Sequence, residues 1–200
     1  MPPSDNHSAH QPTPEEIGVR REAKACGGCT LCCTVLGIGP AGKAPGTPCP
    51  YVQAGQGCGI HPTRPDNCRA YQCVWTLADP LDITWRPDVA GFLLNPRPNP
   101  QEIEVVVDPA NPDGWRREPY YSQLKQWSDP ANPAVNRVLV RDGNRVTVVF
   151  PDAEIDLGPT NDPDFAVYAG YEVQGGRRAA VAHYVSRFGN RPSPVLIQPR

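Results

Sequence analysis

The chain has 200 residues, enough for one or two small domains with a modest core. Its 26 prolines and 18 glycines make up more than a fifth of the chain, against about 12% in average proteins, so we expect many loops and short elements. A formal net charge of −2 provides no overall attraction to nucleic acids or to anionic membranes.

The first residues of the chain are polar and contain several prolines, and they lack the apolar core of a secretory signal peptide. We therefore expect residues 1–21 to form a disordered lead. No apolar run approaches the roughly 18 residues that a membrane-spanning helix needs, so we expect a cytoplasmic protein without membrane contact. Because the cytosol keeps thiols reduced, its cysteines favour metal ligation over disulfides.

Residues 22–78 contain every cysteine of the chain and many of its glycines and prolines. Most of this segment has no helical or strand periodicity, so it has little apolar surface to bury. Ordering a residue costs about 1–2 kcal/mol, and a structural metal contributes on the order of 10 kcal/mol to folding. We therefore predict a domain over residues 22–78 that metal ligation holds in shape.

Regular elements are predicted only after Cys73. The pattern indicates strands at 89–94 and 103–107 around a turn at 95–100, and a helix at 119–127 with Tyr120, Leu124 and Trp127 on one face. Strands at 138–140 and 146–150 flank the hairpin signal Asp142-Gly143-Asn144, and a further strand is expected at 155–157. A final helix is predicted over 177–188, ended by Gly189.

The predicted fold class is α+β. An irregular, cysteine-rich, metal-binding segment at 22–78 is followed by a small unit at 88–190, rich in antiparallel strands and with two short helices. A seam at 80–87 is expected between them, and residues 191–200 are expected to form a flexible tail. No internal repeat is visible.

The cysteine spacing indicates metal ligands. A Cys-x2-Cys turn offers two sulfurs to one tetrahedral ion, and here it is extended to Cys26-x2-Cys29-x2-Cys32. Three cysteines at this interval also wrap the [4Fe–4S] cluster of bacterial ferredoxins, with a distant fourth ligand. Cys33 or Cys49 could supply that fourth ligand, so zinc and an iron–sulfur cluster both stay open.

The adjacent pair Cys32-Cys33 bears on how many sites there are. In an extended or turn backbone, neighbouring side chains point to different sides, so the two are not expected to ligate one small ion together. Eight thiols with such a pair divide into two sets of four, with one shared polynuclear site as the alternative, and spacing does not assign the sets. The predicted metal ligands are Cys26, Cys29, Cys32, Cys33, Cys49, Cys58, Cys68 and Cys73.

Several residues beside the cysteines are expected to support the site. His61 is expected to pack as an aromatic ring would, with metal ligation as the alternative. Arg64 and Arg69 could donate hydrogen bonds to sulfur and offset its charge, while Tyr71 and Trp75 are expected to shield the site. Beyond the segment no catalytic set is apparent: His183 is expected on a helix, and four aspartates are expected to form turns, namely Asp82, Asp88, Asp108 and Asp113.

These motifs resemble the CxxCxxCC family of zinc- or iron-chelating proteins, also called YkgJ-like cysteine cluster proteins. The resemblance covers about residues 22–78, including all eight cysteines and the Arg64-Pro-x2-Cys68-Arg69 block. It departs at His61, where the family usually has tyrosine. The resemblance implies a cysteine-ligated metal or iron–sulfur protein. Our first hypothesis is a binding protein in which this segment holds the metal structurally and the strand-rich unit contacts a protein partner. Family relatives that are called Fe–S oxidoreductases or flagellin lysine methylases make electron transfer and group transfer the alternatives.

Overall fold

The structure is a computed structural model, and it describes residues 24–38, 43–162 and 164–185, together with the backbone of 195–196. In these ranges the chain is an α+β protein with short helices and three sheets. The helices are α1 (Leu31–Val35), α2 (Asp66–Ala70), α3 (Val74–Leu77), α4 (Pro87–Ala90) and α5 (Tyr120–Trp127). The strands are β1 (Val52–Gln53), β2 (Gly57–Cys58), β3 (Phe92–Pro96), β4 (Glu102–Val107), β5 (Arg137–Asp142), β6 (Arg145–Val149), β7 (Glu154–Pro159), β8 (Ala166–Gln174), β9 (Arg177–Val185) and β10 (Val195–Leu196).

The main sheet has five strands in the order β3-β4-β5-β6-β7. Its neighbours are antiparallel except β4 and β5, which run parallel. Parallel neighbours require a crossover, and the connection between them carries α5. A second sheet pairs β8 with β9 and β9 with β10, and β1 pairs with β2 in a small hairpin. The strands are therefore mostly antiparallel, as the sequence predicted, with one parallel pair that it did not.

The largest core covers one face of the main sheet. Alternate residues of β4 point to opposite faces, and Ile103, Val105 and Val107 all belong to this core. Helix α5 closes it through Tyr120 and Leu124, while Trp127 packs at its margin. The prediction of α5 and of its buried face is therefore confirmed.

The opposite face of the main sheet carries two smaller cores with charged residues between them. Strands β8 and β9 cover one end, where Leu139 packs, and α1 covers the other, where Val106 packs. Glu102 and Glu104 of β4 are buried on this same face. Both carboxylates form ion pairs with arginines, so neither buried charge is isolated.

The cysteine-rich segment shares buried surface with the main sheet. Leu31 and Val35 of α1 pack against Leu93 and Val106 of the sheet. Trp75 of α3 belongs to the large core, as do Leu81 and Trp85 from the predicted seam. The seam residues thus lie in a core common to both predicted units.

The predicted final helix is wrong. Residues 177–185 form strand β9, paired with β8 through a turn at Gly175 and Gly176, both with positive φ. Such a two-residue turn favours a hairpin, and the short apolar run Ala180–Ala182 is fully buried as a strand. Residues 186–189, including the predicted helix end, lie outside the described residues.

The other predictions are largely confirmed. The predicted hairpin is β5 and β6, with Gly143 at φ +58 in its turn, and strands β4 and β7 lie where expected. The strand predicted from Val89 starts only at Phe92, because Pro87 begins a helical turn that ends at Gly91, with φ +79.

The structure describes little of the two terminal segments that the sequence predicted to be disordered or flexible. Residues 1–21 lie outside the described residues, and of the predicted tail only Val195–Leu196 is described, pairing with β9. Across the described ranges, no helix combines the length and the apolar character that a membrane span requires.

Candidate metal centre

Helix α1 presents Cys32 and Cys33 side by side. Leu31 and Val35 lie four positions apart and are both buried, which fixes the side of the helix that faces the sheet. The two cysteines thus lie in a helix rather than in the predicted extended or turn backbone. Successive helical positions are about 100° apart, and the two sulfurs lie 4.0 Å from each other.

Cys26 and Cys29 lie in a tight turn ahead of α1, in which the Cys29 amide donates to the Cys26 carbonyl at 2.9 Å. Just before this turn, the Lys24 ammonium donates to the Ala78 carbonyl at 2.5 Å, at the end of α3. Helix α3 begins directly after Cys73. This contact therefore holds Cys26 on the same side of the segment as Cys73.

Cys49 and Cys58 belong to a second part of the segment. The Cys49 amide donates to the Cys33 carbonyl at 3.0 Å, and the Cys49 carbonyl accepts from the Val52 amide at 3.1 Å. Val52 is the strand partner of Cys58 in the β1–β2 hairpin. Backbone contacts therefore connect Cys33, Cys49 and Cys58 in sequence.

Cys68 lies within α2 and faces that same part. Burial raises its pKa, and the thiols of Cys33, Cys49 and Cys58 raise it further, while Arg64 lowers it. The Arg64 Nε atom is buried and has no hydrogen-bond partner in the described part of the chain. A charged N–H donor is therefore available beside these four thiols.

Tyr71 lies among the other four thiols. Burial raises the pKa of Tyr71, and the thiols of Cys73, Cys32, Cys26 and Cys29 raise it further. Its hydroxyl is buried and has no hydrogen-bond partner among the residues described. The sequence predicted only a shielding role for Tyr71, whereas the structure shows a hydroxyl donor at the thiols.

The Cys32 and Cys33 thiols differ in their surroundings although they are adjacent. The contact between them raises the pKa of Cys32 and lowers that of Cys33. Burial raises both, and the thiols ahead of α1 raise that of Cys32 further, while Lys43 and Arg64 lower that of Cys33. The two thiols thus differ in the direction of their pKa shifts, although Lys43 lies near both.

The thiols are grouped but do not converge on one point. All eight are free, with Cys26 exposed and the others half-buried. Within residues 24–38, 43–162 and 164–185, no three histidine, cysteine or acidic side chains meet closely enough to hold a metal ion. The donor chemistry nevertheless fits zinc or an iron–sulfur cluster, and two unpartnered donors beside the thiols suit sulfur acceptors. Metal binding would require the cysteine side chains to turn closer to one another than they lie here.

Two of the predicted supporting residues have other roles. His61 is exposed and its Nε2 contacts the Arg64 guanidinium, so it does not pack as an aromatic ring. Arg69 is exposed and pairs with Asp66 within α2 rather than with a sulfur. Trp75 is buried in the shared core, where its Nε1 donates to the Asp82 carbonyl at 2.8 Å.

The residues predicted outside the segment are structural. His183 lies on strand β9, not on a helix, and its ring stacks on Tyr168 at 5.0 Å. The turn-forming role is confirmed for Asp82 and Asp108, whose carboxylates accept backbone hydrogen bonds two residues further on. The remaining two aspartates form local ion pairs, Asp88 with Arg86 and Asp113 with Arg116.

Sequence reasoning missed two lysines at the site. Lys24 fastens the first cysteine turn to α3, and Lys43 donates to the Thr34 carbonyl at 3.1 Å, at the end of α1. A cation near a helix C-terminus is favourable, but both lysines lie in irregular stretches whose contacts no periodicity reveals. Their roles depend on tertiary contacts alone.

A cavity of about 370 Å³ lies away from the cysteines, beside β6 and β8. Its two arginines already have partners: Arg137 pairs with Glu102, and Arg178 stacks over Tyr171 at 3.8 Å. Within the described residues, the Arg137 charge is therefore offset by Glu102, while Arg178 has no ion-pair partner beside its ring contact and keeps its positive charge at the cavity.

Comparisons with family models, with curated proteins and with solved structures found no match to this chain. The resemblance to the CxxCxxCC family therefore stays a prediction that depends on the cysteine spacing.

Proposed function

We propose that this protein binds metal through the cysteine thiolates of residues 26–73, as zinc or as an iron–sulfur cluster. One observation carries the proposal: eight free thiols lie on short elements of one segment, together with the buried Arg64 Nε and Tyr71 hydroxyl, which have no hydrogen-bond partner among the described residues. Buried donors normally find a partner, and a metal-bound thiolate would supply one. Eight inert cysteines would leave both donors unexplained.

The chain's own residues suit the charge of such a centre. Four thiolates around Zn²⁺ or around a [4Fe–4S]²⁺ cluster leave a net charge of −2. The contact with the Cys32 thiol lowers the pKa of Cys33, and Lys43 and Arg64 lower it further against the effect of burial, which favours a thiolate there. The Tyr71 hydroxyl can donate to sulfur. Bound zinc would cross-link the segment, and a cluster would in addition supply a one-electron redox centre.

A structural role for the metal is favoured by how little apolar contact holds the cysteine turns. Only Leu31 and Val35 of α1 and Trp75 of α3 are buried apolar side chains among the described residues of the segment. Because the turns between them have no core of their own, metal ligation would supply the missing free energy.

Metal analysis of protein purified without air or chelator tests the proposal. Stoichiometric zinc in a colourless protein would support the structural reading and exclude electron transfer. Iron with acid-labile sulfide and broad visible absorption would support the cluster and the electron-transfer alternative. A preparation with neither metal, but with residues 26–73 still protected from proteolysis, would contradict metal binding altogether.

We also propose a cytoplasmic location, because thioredoxin and glutathione keep thiols reduced there, as metal ligation by the eight cysteines requires. Thiol trapping in intact cells tests this: alkylation without prior reduction, or protection by metal, is expected, and disulfide-linked cysteines would contradict it.

A further inference from the structure

We propose that the free edge of strand β8 binds an extended peptide segment that carries a carboxylate. The segment pairs with β8 as an additional strand of the second sheet, and its carboxylate pairs with the Arg178 guanidinium beside the cavity. The cavity lies away from the cysteines, so this inference goes beyond metal binding and does not depend on it.

Strand β8 is an edge strand, because β9 is its only neighbour among the described strands. Gln174 and Arg177 form the last pair before the two-residue turn of the β8–β9 hairpin, and in such a hairpin this pair is hydrogen-bonded. Hydrogen-bonded and non-hydrogen-bonded pairs then alternate along the two strands. Gly170 therefore bonds to β9, whereas Ala169 and Tyr171 direct their backbone amides and carbonyls to the free edge.

Two arginines occupy the start of this edge and confirm its orientation. The Arg97 guanidinium donates to the Phe165 carbonyl, and the Arg137 guanidinium donates to the Val167 carbonyl at 3.0 Å. Both carbonyls belong to the same alternate set as that of Ala169, so this set faces away from β9. The arginines satisfy the start of the edge, and its open part begins at Ala169.

The open part of the edge has no such partners. Within the described ranges, no group forms a hydrogen bond with the backbone amides or carbonyls of Ala169, Tyr171 and Val173. Natural edge strands are usually protected by lysine, proline, a bulge or a covering segment. Strand β8 contains neither lysine nor proline and pairs with β9 without a register shift. An open edge of this kind is a template for one more strand.

The cavity of about 370 Å³ lies directly beside this open edge. Residues 169–171 of β8 line it, together with residues 148–150 at the end of β6. Because Gly170 has no side chain, the backbone of β8 itself borders the cavity. Ligand sites have volumes of about 300–1,000 Å³, so there is room here for side chains of a segment that pairs with β8.

The hydrogen-bonding groups of the edge favour a peptide over a simple anion. Ala169 and Tyr171 each present one donor and one acceptor, two residues apart. A carboxylate or phosphate can accept from the two amides but has nothing to donate to the two carbonyls. An extended peptide presents amides and carbonyls at the same spacing, so it can satisfy all four groups.

The charge of the cavity favours an acidic segment. Among the described residues, its lining contains two arginines and no acidic side chain. Arg137 is offset by Glu102 at 3.1 Å, whereas Arg178 has only its ring contact with Tyr171 at 3.8 Å. Asp152 accepts a hydrogen bond from the Tyr171 hydroxyl but does not line the cavity. A carboxylate on the bound segment therefore complements the free charge of Arg178.

A library of blocked pentapeptides tests this proposal on the full chain. Glutamate is fixed at the centre, and the other positions are drawn from valine, threonine, tyrosine and serine, most of which favour extended structure. Affinity selection with mass spectrometry identifies the retained peptides. Their binding should slow hydrogen exchange at the amides of Ala169 and Tyr171. Exchange at the Gly170 amide, which already bonds to β9, should change little.

Altered ligands separate the backbone from the charge. Glutamine at the centre of a retained peptide should weaken binding about tenfold, because it removes the charged partner of Arg178. N-methylation of alternate amides keeps every side chain, and in one of its two registers it should abolish binding. Glutarate provides a carboxylate without a peptide backbone, and at the concentration of the peptide it should not displace it.

Matched variants test the protein side. Arg178→Gln should weaken binding about tenfold, whereas Arg177→Gln should not, because neighbouring side chains of a strand point to opposite faces. Ala169→Pro removes one outward amide, which an edge strand tolerates, and should abolish binding. Ala169→Ser keeps that amide and should bind. Circular dichroism confirms folding, and the metal content should be equal in all four variants.

Several results would overturn the proposal while leaving metal binding intact. These are retention of no library member by the unaltered protein, equal binding by Arg178→Gln, equal binding of both N-methylated peptides, or displacement by glutarate. A dimer of the unaltered protein that Ala169→Pro dissociates would assign the edge to a second copy of this chain instead. Loss of metal without loss of peptide binding would contradict the proposed function alone.

Discussion

Glu104 shows how a single buried charge depends on its partners. It is fully buried. Its carboxylate pairs with the Arg141 Nε at 3.1 Å and accepts a hydrogen bond from the Asn95 side-chain Nδ2 at 3.0 Å. Glu104→Ala would leave the Arg141 guanidinium without its carboxylate partner. We expect a loss of about 3–5 kcal/mol in the free energy of unfolding, measured with urea.

The matched control is Arg145→Ala, which removes an exposed ion pair with Asp156. Exposed pairs contribute about 0–1 kcal/mol, so the free energy of unfolding of this variant should be close to that of the unaltered protein. Similar losses in the two variants would mean that the buried charges on β4 are not essential.

At the scale of the elements, the first cysteine turn and the β1–β2 hairpin touch through backbone alone. A Cβ on Gly28 would lie 2.6 Å from the Gly55 carbonyl oxygen, which is too close for a real contact. Gly28→Ala should therefore separate the two loops, at a cost of about 1–3 kcal/mol. We expect a lower melting temperature and weaker retention of metal.

Gln56→Ala is the control for this substitution. It shortens an exposed side chain of the same hairpin and leaves the contact between Gly28 and Gly55 unchanged. If both variants melt alike, the close approach of Gly28 to Gly55 is not what joins the loops.

A second prediction for an element concerns the short helical turn at Ile83–Trp85. Thr84 donates from its hydroxyl and its amide to the Asp82 carboxylate, at 2.5 and 2.9 Å, and both bonds lower the pKa of Asp82. A lowered pKa means that this stabilisation is present above about pH 4, the usual value of an aspartate. It is lost as the pH falls through the folded-state pKa.

Asp82→Ala should cost about 0.5–1 kcal/mol at neutral pH and progressively less in acid. Asp82→Asn keeps an acceptor oxygen but cannot titrate, so it should remove the pH dependence while retaining part of the cap. Urea unfolding between pH 3 and 7 measures both, and a loss that grows in acid would contradict the role.

These elements also show what the sequence could predict. Helix α5 and the β5–β6 hairpin carry local signals, a helical period and an Asp-Gly turn, and both are confirmed. Strand β9 carries no such local signal. Its residues from Arg177 to Val185 lack clear alternation, and pairing with β8 determines that they form a strand. The cysteines were predicted as ligands from their spacing alone, and this stays a prediction. The contacts that position them, such as Lys24 with Ala78, are not shown by any local pattern.

At the scale of the whole molecule, the cysteine-rich segment and the sheet are joined by apolar packing. Leu31 and Val35 of α1 lie on the face of β3 and β4 that also carries the buried charges. Trp75 enters the large core on the other face. The segment therefore contacts both faces of the sheet. We expect a change in the order of the segment to change the stability of the sheet.

We predict that removing the metal loosens the segment and lowers the melting temperature of the sheet without unfolding it. Strands β3–β9 keep their own cores, whereas α1 and α3 would lose the ligation that positions them. Hydrogen exchange should therefore increase at Leu31–Val35 and at Val74–Leu77, while β4 and β5 remain protected. Far-UV circular dichroism should retain its strand signal.

Trp75 provides a local probe of the same change. It is buried and belongs to α3, so its fluorescence should shift to the red when a chelator removes the metal without air. Trp75→Phe should abolish most of that shift, because Trp85, Trp115 and Trp127 lie outside the cysteine-rich segment. Uniform loss of protection along the chain would mean that the segment and the sheet unfold as one unit. Unchanged exchange at α1 and α3 would mean that metal does not position these helices.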